Sequence, residues 1–73
     1  MKKEITINTP FIKLDALLKF ADVVSSGGEA KLLIQDALVS VNGTVCTMRG
    51  KKCVPGDMIE IDDITVIVRG AEV

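Results

Sequence analysis

The sequence predicts an α+β fold in which two N-terminal helices pack on one face of a small, mainly antiparallel sheet. Three observations point to it. Apolar residues fall at helical spacing twice in the first half of the chain, at Leu14, Leu17, Leu18 and Ala21, then at Ala30, Leu33, Ile34 and Ala37. The second half alternates instead, as in Val39-Ser40-Val41 and Ile59-Glu60-Ile61. Between these alternating runs stand two turn signals, Asn42-Gly43 and Pro55-Gly56-Asp57.

Taken in order, Ile5 and Ile7 alternate with Thr6 and Asn8, a short opening strand. Thr9 then suits a helix cap, with Pro10 at the first helical position, where its missing N–H costs nothing. Lys13, Asp15 and Lys19 lie off the apolar stripe, and the helix is expected to fade near Val23-Val24. Ser26 and Glu29 have the spacing of a capping box, each side chain satisfying a backbone donor at the start of helix two. Lys31 and Gln35, four apart, share the face opposite the stripe. Val39 and Val41 lead into Asn42-Gly43, the pair that a type I′ hairpin favours, and Thr44, Val45 and Cys46 return. After the Pro55-Gly56-Asp57 turn, Ile59 and Ile61 mark one strand. Asp62-Asp63 reverses the chain into a last apolar strand over 64–68.

Seventy-three residues make a single domain, 1–73, of a size that buries only about 60% of its unfolded surface. A hydrophobic fraction of 48% argues for a packed core and against disorder. No apolar run approaches the roughly 18 residues of a membrane span. Basic Met1-Lys2-Lys3-Glu4 leads into an alternating segment where a signal peptide has an apolar one, so a cytoplasmic, soluble protein is expected.

The chain has no histidine, so no side chain titrates near neutral pH without a large shift. No nucleophile-and-base spacing or phosphate-loop glycine pattern occurs, and a non-catalytic protein without cofactor is expected. Cys46 and Cys53 are not spaced as a zinc pair and read as small, reduced strand residues.

The net charge of −1 argues against indiscriminate binding to nucleic acid, but the distribution is uneven. Residues 49–52 hold three cations, Arg49, Lys51 and Lys52, and no anion, whereas Asp57, Glu60, Asp62 and Asp63 follow. Three places could meet a ligand. At Ser26-Gly27-Gly28 backbone N–H groups stand at the positive end of a helix dipole, although Glu29 competes for them and a plain capped turn explains the same residues. The face of Lys31 and Gln35, extended by Lys13, is the second, with simple solvation as the alternative. Arg49, Lys51 and Lys52, separated by the adaptable Gly50, form the third. With no Trp or Tyr, and with Phe11 and Phe20 read as packing residues, the chain lacks the stacking surface that readers of single strands use. Nucleic acid, if bound, would be read by phosphate spacing and shape.

Lys13-Leu14-Asp15, then Ser26 with Ala30, Leu33 and Ile34, then Val39-Ser40-Val41-Asn42-Gly43 and a later Gly56-Asp57, taken together and in that order, resemble the S4-type RNA-binding domain. Ser26-Gly27-Gly28 and the basic strip before Pro55-Gly56-Asp57 look most similar to its short, stand-alone bacterial members of the YaaA/YbcJ kind. The resemblance implies an S4-like αL fold and a surface for structured RNA, ribosomal RNA included, with contacts at Lys13, Lys31, Arg49, Lys51 and Lys52. Three positions depart from the family pattern. Gly27 replaces an arginine, Ala37 replaces a glycine after helix two, and Met48 stands where short members often have a basic residue.

Two other readings compete. A protein-interaction adaptor would keep the fold with little RNA affinity, and salt-dependent RNA binding separates it. A β-grasp carrier shares the Val-Asn-Gly hairpin and Gly-Asp turn. It needs a C-terminal Gly-Gly, however, where this chain has Gly70-Ala71-Glu72-Val73.

Overall fold

The computed structural model describes residues 1–71. The expected opening strand is present, and a second strand that was not expected also precedes the helices, so the two helices are not N-terminal as predicted. β1 (Lys2–Ile7) and β2 (Ile12–Lys13) come before α1 (Leu14–Phe20) and α2 (Gly27–Gln35). β3 (Val39–Val41), β4 (Thr44–Val45), β5 (Lys52–Cys53), β6 (Met58–Ile61) and β7 (Ile64–Gly70) follow. Five strands form one sheet in the order β1-β7-β6-β3-β4, and β2 and β5 form a separate two-stranded ribbon. The large sheet is mainly antiparallel, but β1 lies parallel to β7, with Ile5 opposite Val68.

Alternation decides which sheet face is apolar. Val39 and Val41 of β3, Ile59 and Ile61 of β6, and Val66 and Val68 of β7 are all buried. Against them pack Leu14, Leu17 and Leu18 of α1, with Ala30 and Ile34 of α2. The stripe of α1 is the expected one, down to Ala21. That of α2 is narrower. Leu33 is only partly buried, and Ala37 lies beyond the helix, exposed. Phe20 also departs from the reading of it as a packing residue, since it is 66% exposed at the end of α1. No helix among the described residues is long and apolar enough to cross a membrane.

Both helices stop in the same way. Asp22 and Ala37 take left-handed φ values of 60° and 61°. The N–H groups of Asp22 and Val23 donate to the carbonyls of Lys19 and Leu18, and those of Ala37 and Leu38 to Ile34 and Leu33. Each pair is the double hydrogen bond of a Schellman motif, usually made with glycine at the left-handed position.

The hairpin turn is as the sequence requires, with positive φ at both Asn42 and Gly43. At the second turn the Asp57 N–H donates to the Val54 carbonyl and Gly56 has φ 99°, the pattern of a type II turn with Pro55 leading.

Candidate nucleic-acid interface

The start of α1 brings together Lys13, Arg49, Lys51 and Lys52, four of the nine basic residues. An α-helix leaves its first N–H groups without partners, and a side-chain cap usually answers some of them. Thr9 does not do so here, and its hydroxyl instead donates to the Phe11 carbonyl. The helix begins after Lys13, whose side chain makes no cap hydrogen bond. The partners come from the basic strip. The Leu14 N–H donates to the Lys51 carbonyl at 2.9 Å and the Asp15 N–H to the Arg49 carbonyl at 3.1 Å. The Ala16 N–H is answered by the Asp15 carboxylate at 2.8 Å. The helix end is thus capped by the backbone of residues 49–51, which fixes that strip beside Lys13.

The ribbon extends this arrangement. β2 and β5 pair Ile12 with Cys53, and Lys13 with Lys52 directly opposite. Lys52 Nζ also stands 4.9 Å from the centroid of the half-buried Phe11 ring, within the range of a cation–π contact. Lys13, Arg49, Lys51 and Lys52 are all exposed. Among the described residues the ion pair present is Arg69 Nε to Glu4 Oε1, on strands β7 and β1, so none of these four cations is neutralised by a carboxylate.

Cys53, paired with Ile12 at the base of this ribbon, is fully buried. Burial pushes its thiol up to about 11, and the Asp57 charge adds to the effect while Lys51 opposes it. Cys46 is half-buried, and both thiols are free.

The other expected positions lie elsewhere. Ser26 caps α2, its hydroxyl accepting from the Glu29 N–H at 3.2 Å. The Glu29 carboxylate reaches one residue past the usual capping-box donor and accepts from the Ser25 N–H at 2.9 Å. Gly27 and Gly28 form the first turn of α2, with open space around Gly27. Gly27 borders a shallow depression with Asp15, Ala16 and Lys19, where the nearby carboxylate disfavours an anion. Lys31 and Gln35 are exposed one turn apart on α2. Backbone contacts thus gather Lys13, Arg49, Lys51 and Lys52 at the start of α1, while Ser26, Gly27, Gly28, Lys31 and Gln35 all belong to α2 and its cap.

A second feature beside the strip was not anticipated from the sequence. The β3–β4 hairpin and the irregular segment after it enclose a cleft of about 350 Å³, lined by Val41, Asn42, Thr44, Val45, Cys46, Thr47, Met48 and Lys51. Its one sequence signal is the exposed apolar pair Val45 and Met48 close to the charges.

Comparison with known proteins fits this geometry. The chain is 42% identical over 62 residues to the "Probable ribosome maturation protein RlbA" of Bacillus subtilis (strain 168), an overlap of 85% of this chain and 87% of that protein. The family model described as the S4 domain matches residues 5–69, a span that takes in both helices, the ribbon and nearly all of the sheet. The chain belongs to the S4 domain family.

Proposed function

We propose that this protein is a non-catalytic RNA-binding module that engages structured RNA of the ribosome or its precursors, mainly through phosphates. The observation behind this reading is the pairing of Lys13 with Lys52 across the ribbon, beside Arg49 and Lys51. Like charges directly opposite on paired strands are destabilising, and no protein carboxylate offsets them among the described residues. A phosphate backbone supplies the missing anions. Lys31, Gln35 and the Ser26-Gly27-Gly28 turn form a second, weaker contact on α2. The ribosome-maturation description of the similar Bacillus protein supports RNA of the ribosome as the ligand class.

A salt titration against a hairpin-rich ribosomal RNA fragment tests the reading. Four phosphate contacts give a log–log slope of roughly −2.8 to −3.6. Lys51→Glu with Lys52→Glu should weaken binding to many structured RNAs alike, because phosphate contacts carry little sequence information. Binding that ignores salt, or a double variant as tight as the wild type, would reject it in favour of a protein adaptor.

A further inference from the structure

We infer that the cleft between the β3–β4 hairpin and residues 46–51 receives one unpaired nucleotide of the bound RNA. This deepens the reading above and rests on it. The cleft adjoins the basic strip without a break, because Lys51 belongs to both and Met48 in the cleft wall directly precedes Arg49. Its chemistry suits a flat heteroaromatic ring. Val45 and Met48 offer apolar surface for the faces, and Thr44 and Thr47 offer hydroxyls for the polar edge. Among the described residues Lys51 is the one charged residue in the lining, placed to meet the nucleotide's own phosphate. No carboxylate of the described residues lines the cleft to repel it.

The walls are held in place. The Cys46 N–H donates to the Val39 carbonyl at 2.9 Å and the Lys51 N–H to the Met48 carbonyl at 3.1 Å. The caps on Leu14 and Asp15 fix the far end of the segment. Met48 is 66% and Val45 55% exposed, so two large apolar side chains face solvent beside a cationic strip. A base extruded from a bulge or loop would cover them. Aliphatic side chains here take the place of stacking aromatics, of which the cleft lining has none among the described residues.

The test compares a hairpin RNA bearing a single-nucleotide bulge with the same stem fully paired. Wild type should prefer the bulged RNA by roughly tenfold. Met48→Ser should abolish the preference while leaving affinity for the paired stem unchanged. Cys46 gives an independent readout, since it lines the cleft whereas Cys53 is buried and holds its proton. The bulged RNA should protect Cys46 from a maleimide, and the paired stem should not. Equal binding of both RNAs by wild type, or equal losses in Met48→Ser, would overturn the inference while salt-sensitive RNA binding still stands. Failure to bind either RNA would overturn both. Protection of Cys46 that rises with protein concentration and needs no RNA would mean that a second copy covers the cleft, and would also overturn it.

Discussion

Asn42 and Asp57 lock the two glycine turns to each other. The Asn42 amide donates to Asp57 Oδ1 at 3.0 Å, and its own carbonyl oxygen accepts from the Met58 N–H at 2.9 Å. Asp57 Oδ2 accepts from the Val54 N–H at 2.9 Å, across the Pro55-Gly56 turn. The Val-Asn-Gly and Gly-Asp signatures, fifteen residues apart in the hairpin and the later turn, are one hydrogen-bonded unit. This unit joins β3 to β6 and fixes the hairpin edge of the cleft.

Asp57→Ala should therefore destabilise the domain by about 1.5–3 kcal/mol, the range for hydrogen bonds to a charged group. Asn42→Ala alone should cost less, and the two should couple by about 0.5–3 kcal/mol in a double-mutant cycle. Urea unfolding of the four proteins measures this. Additive losses would show that the two turns stand independently.

Some of this was legible in the sequence. Asn42-Gly43 demanded its turn because both residues need positive φ, and Ser26 with Glu29 marked the start of α2 through local hydrogen bonds. Such features are written within a few neighbouring residues. The start of α1 was not, because its cap is the backbone of Lys51 and Arg49, far along the chain, and carbonyls have no sequence signature. Thr9-Pro10 offered a plausible local start, but pairing of Ile12 with Cys53 extends that segment instead. The parallel pairing of β1 with β7 was equally unreadable, since alternation names a strand without naming its partner. The basic residues of the site were visible one by one. Their convergence depended on the same long-range cap and the two-residue ribbon.

Ala37 gives a prediction of opposite sign to most substitutions. Its φ of 61° costs a residue with a Cβ roughly 1–2 kcal/mol. Ala37→Gly removes that cost but adds about 0.4–1 kcal/mol of unfolded-chain entropy. A net gain of about 0.5–1 kcal/mol is expected from these two terms. Thermal melts should show the variant more stable, and a lower Tm would mean that the Ala37 methyl makes a contact worth more than the strain.

Core position separates two neighbouring residues of α2. Ile34 is fully buried, and Ile34→Ala should cost about 2–5 kcal/mol. Leu33→Ala should cost clearly less, because that side chain is only partly buried. Reversed ranking in equilibrium unfolding would mean that the apolar face of α2 is turned one residue from its place here.

Cys53 predicts a loss of stability in alkali. Its folded thiol titrates at about 11 against an ordinary 9.0, so the unfolded chain gives up its proton first. The stabilisation is complete below pH 9.0 and falls as pH rises towards about 11. Cys53→Val, which fills similar space without a proton, should flatten that limb relative to wild type. Parallel pH–stability curves for the two proteins would rule out the thiol as its source.

Lys13 and Lys52 predict a trade between stability and binding. Lys13→Glu turns a cross-strand repulsion into an attraction, worth about 0.2–1 kcal/mol for an opposite-charge pair. The same carboxylate would stand at the start of α1, where a negative charge adds about 0.3–1 kcal/mol through the helix dipole. Both effects have one sign, so the variant should be more stable than wild type at low salt and lose part of that gain as salt rises. RNA binding should move the other way. The phosphate at Lys13 is no longer neutralised, and the new carboxylate competes with RNA for Lys52. The salt slope should therefore become shallower by about 0.7–0.9 for each phosphate that goes unpaired. A thermal melt and a salt titration on the same preparation check the two halves together. If Lys13→Glu kept full RNA affinity, the Lys13–Lys52 pair would not be the phosphate site. If it bound weakly but was also less stable, the weaker binding could stem from misfolding, and Lys13→Gln, which removes the repulsion without adding an anion, would decide between them.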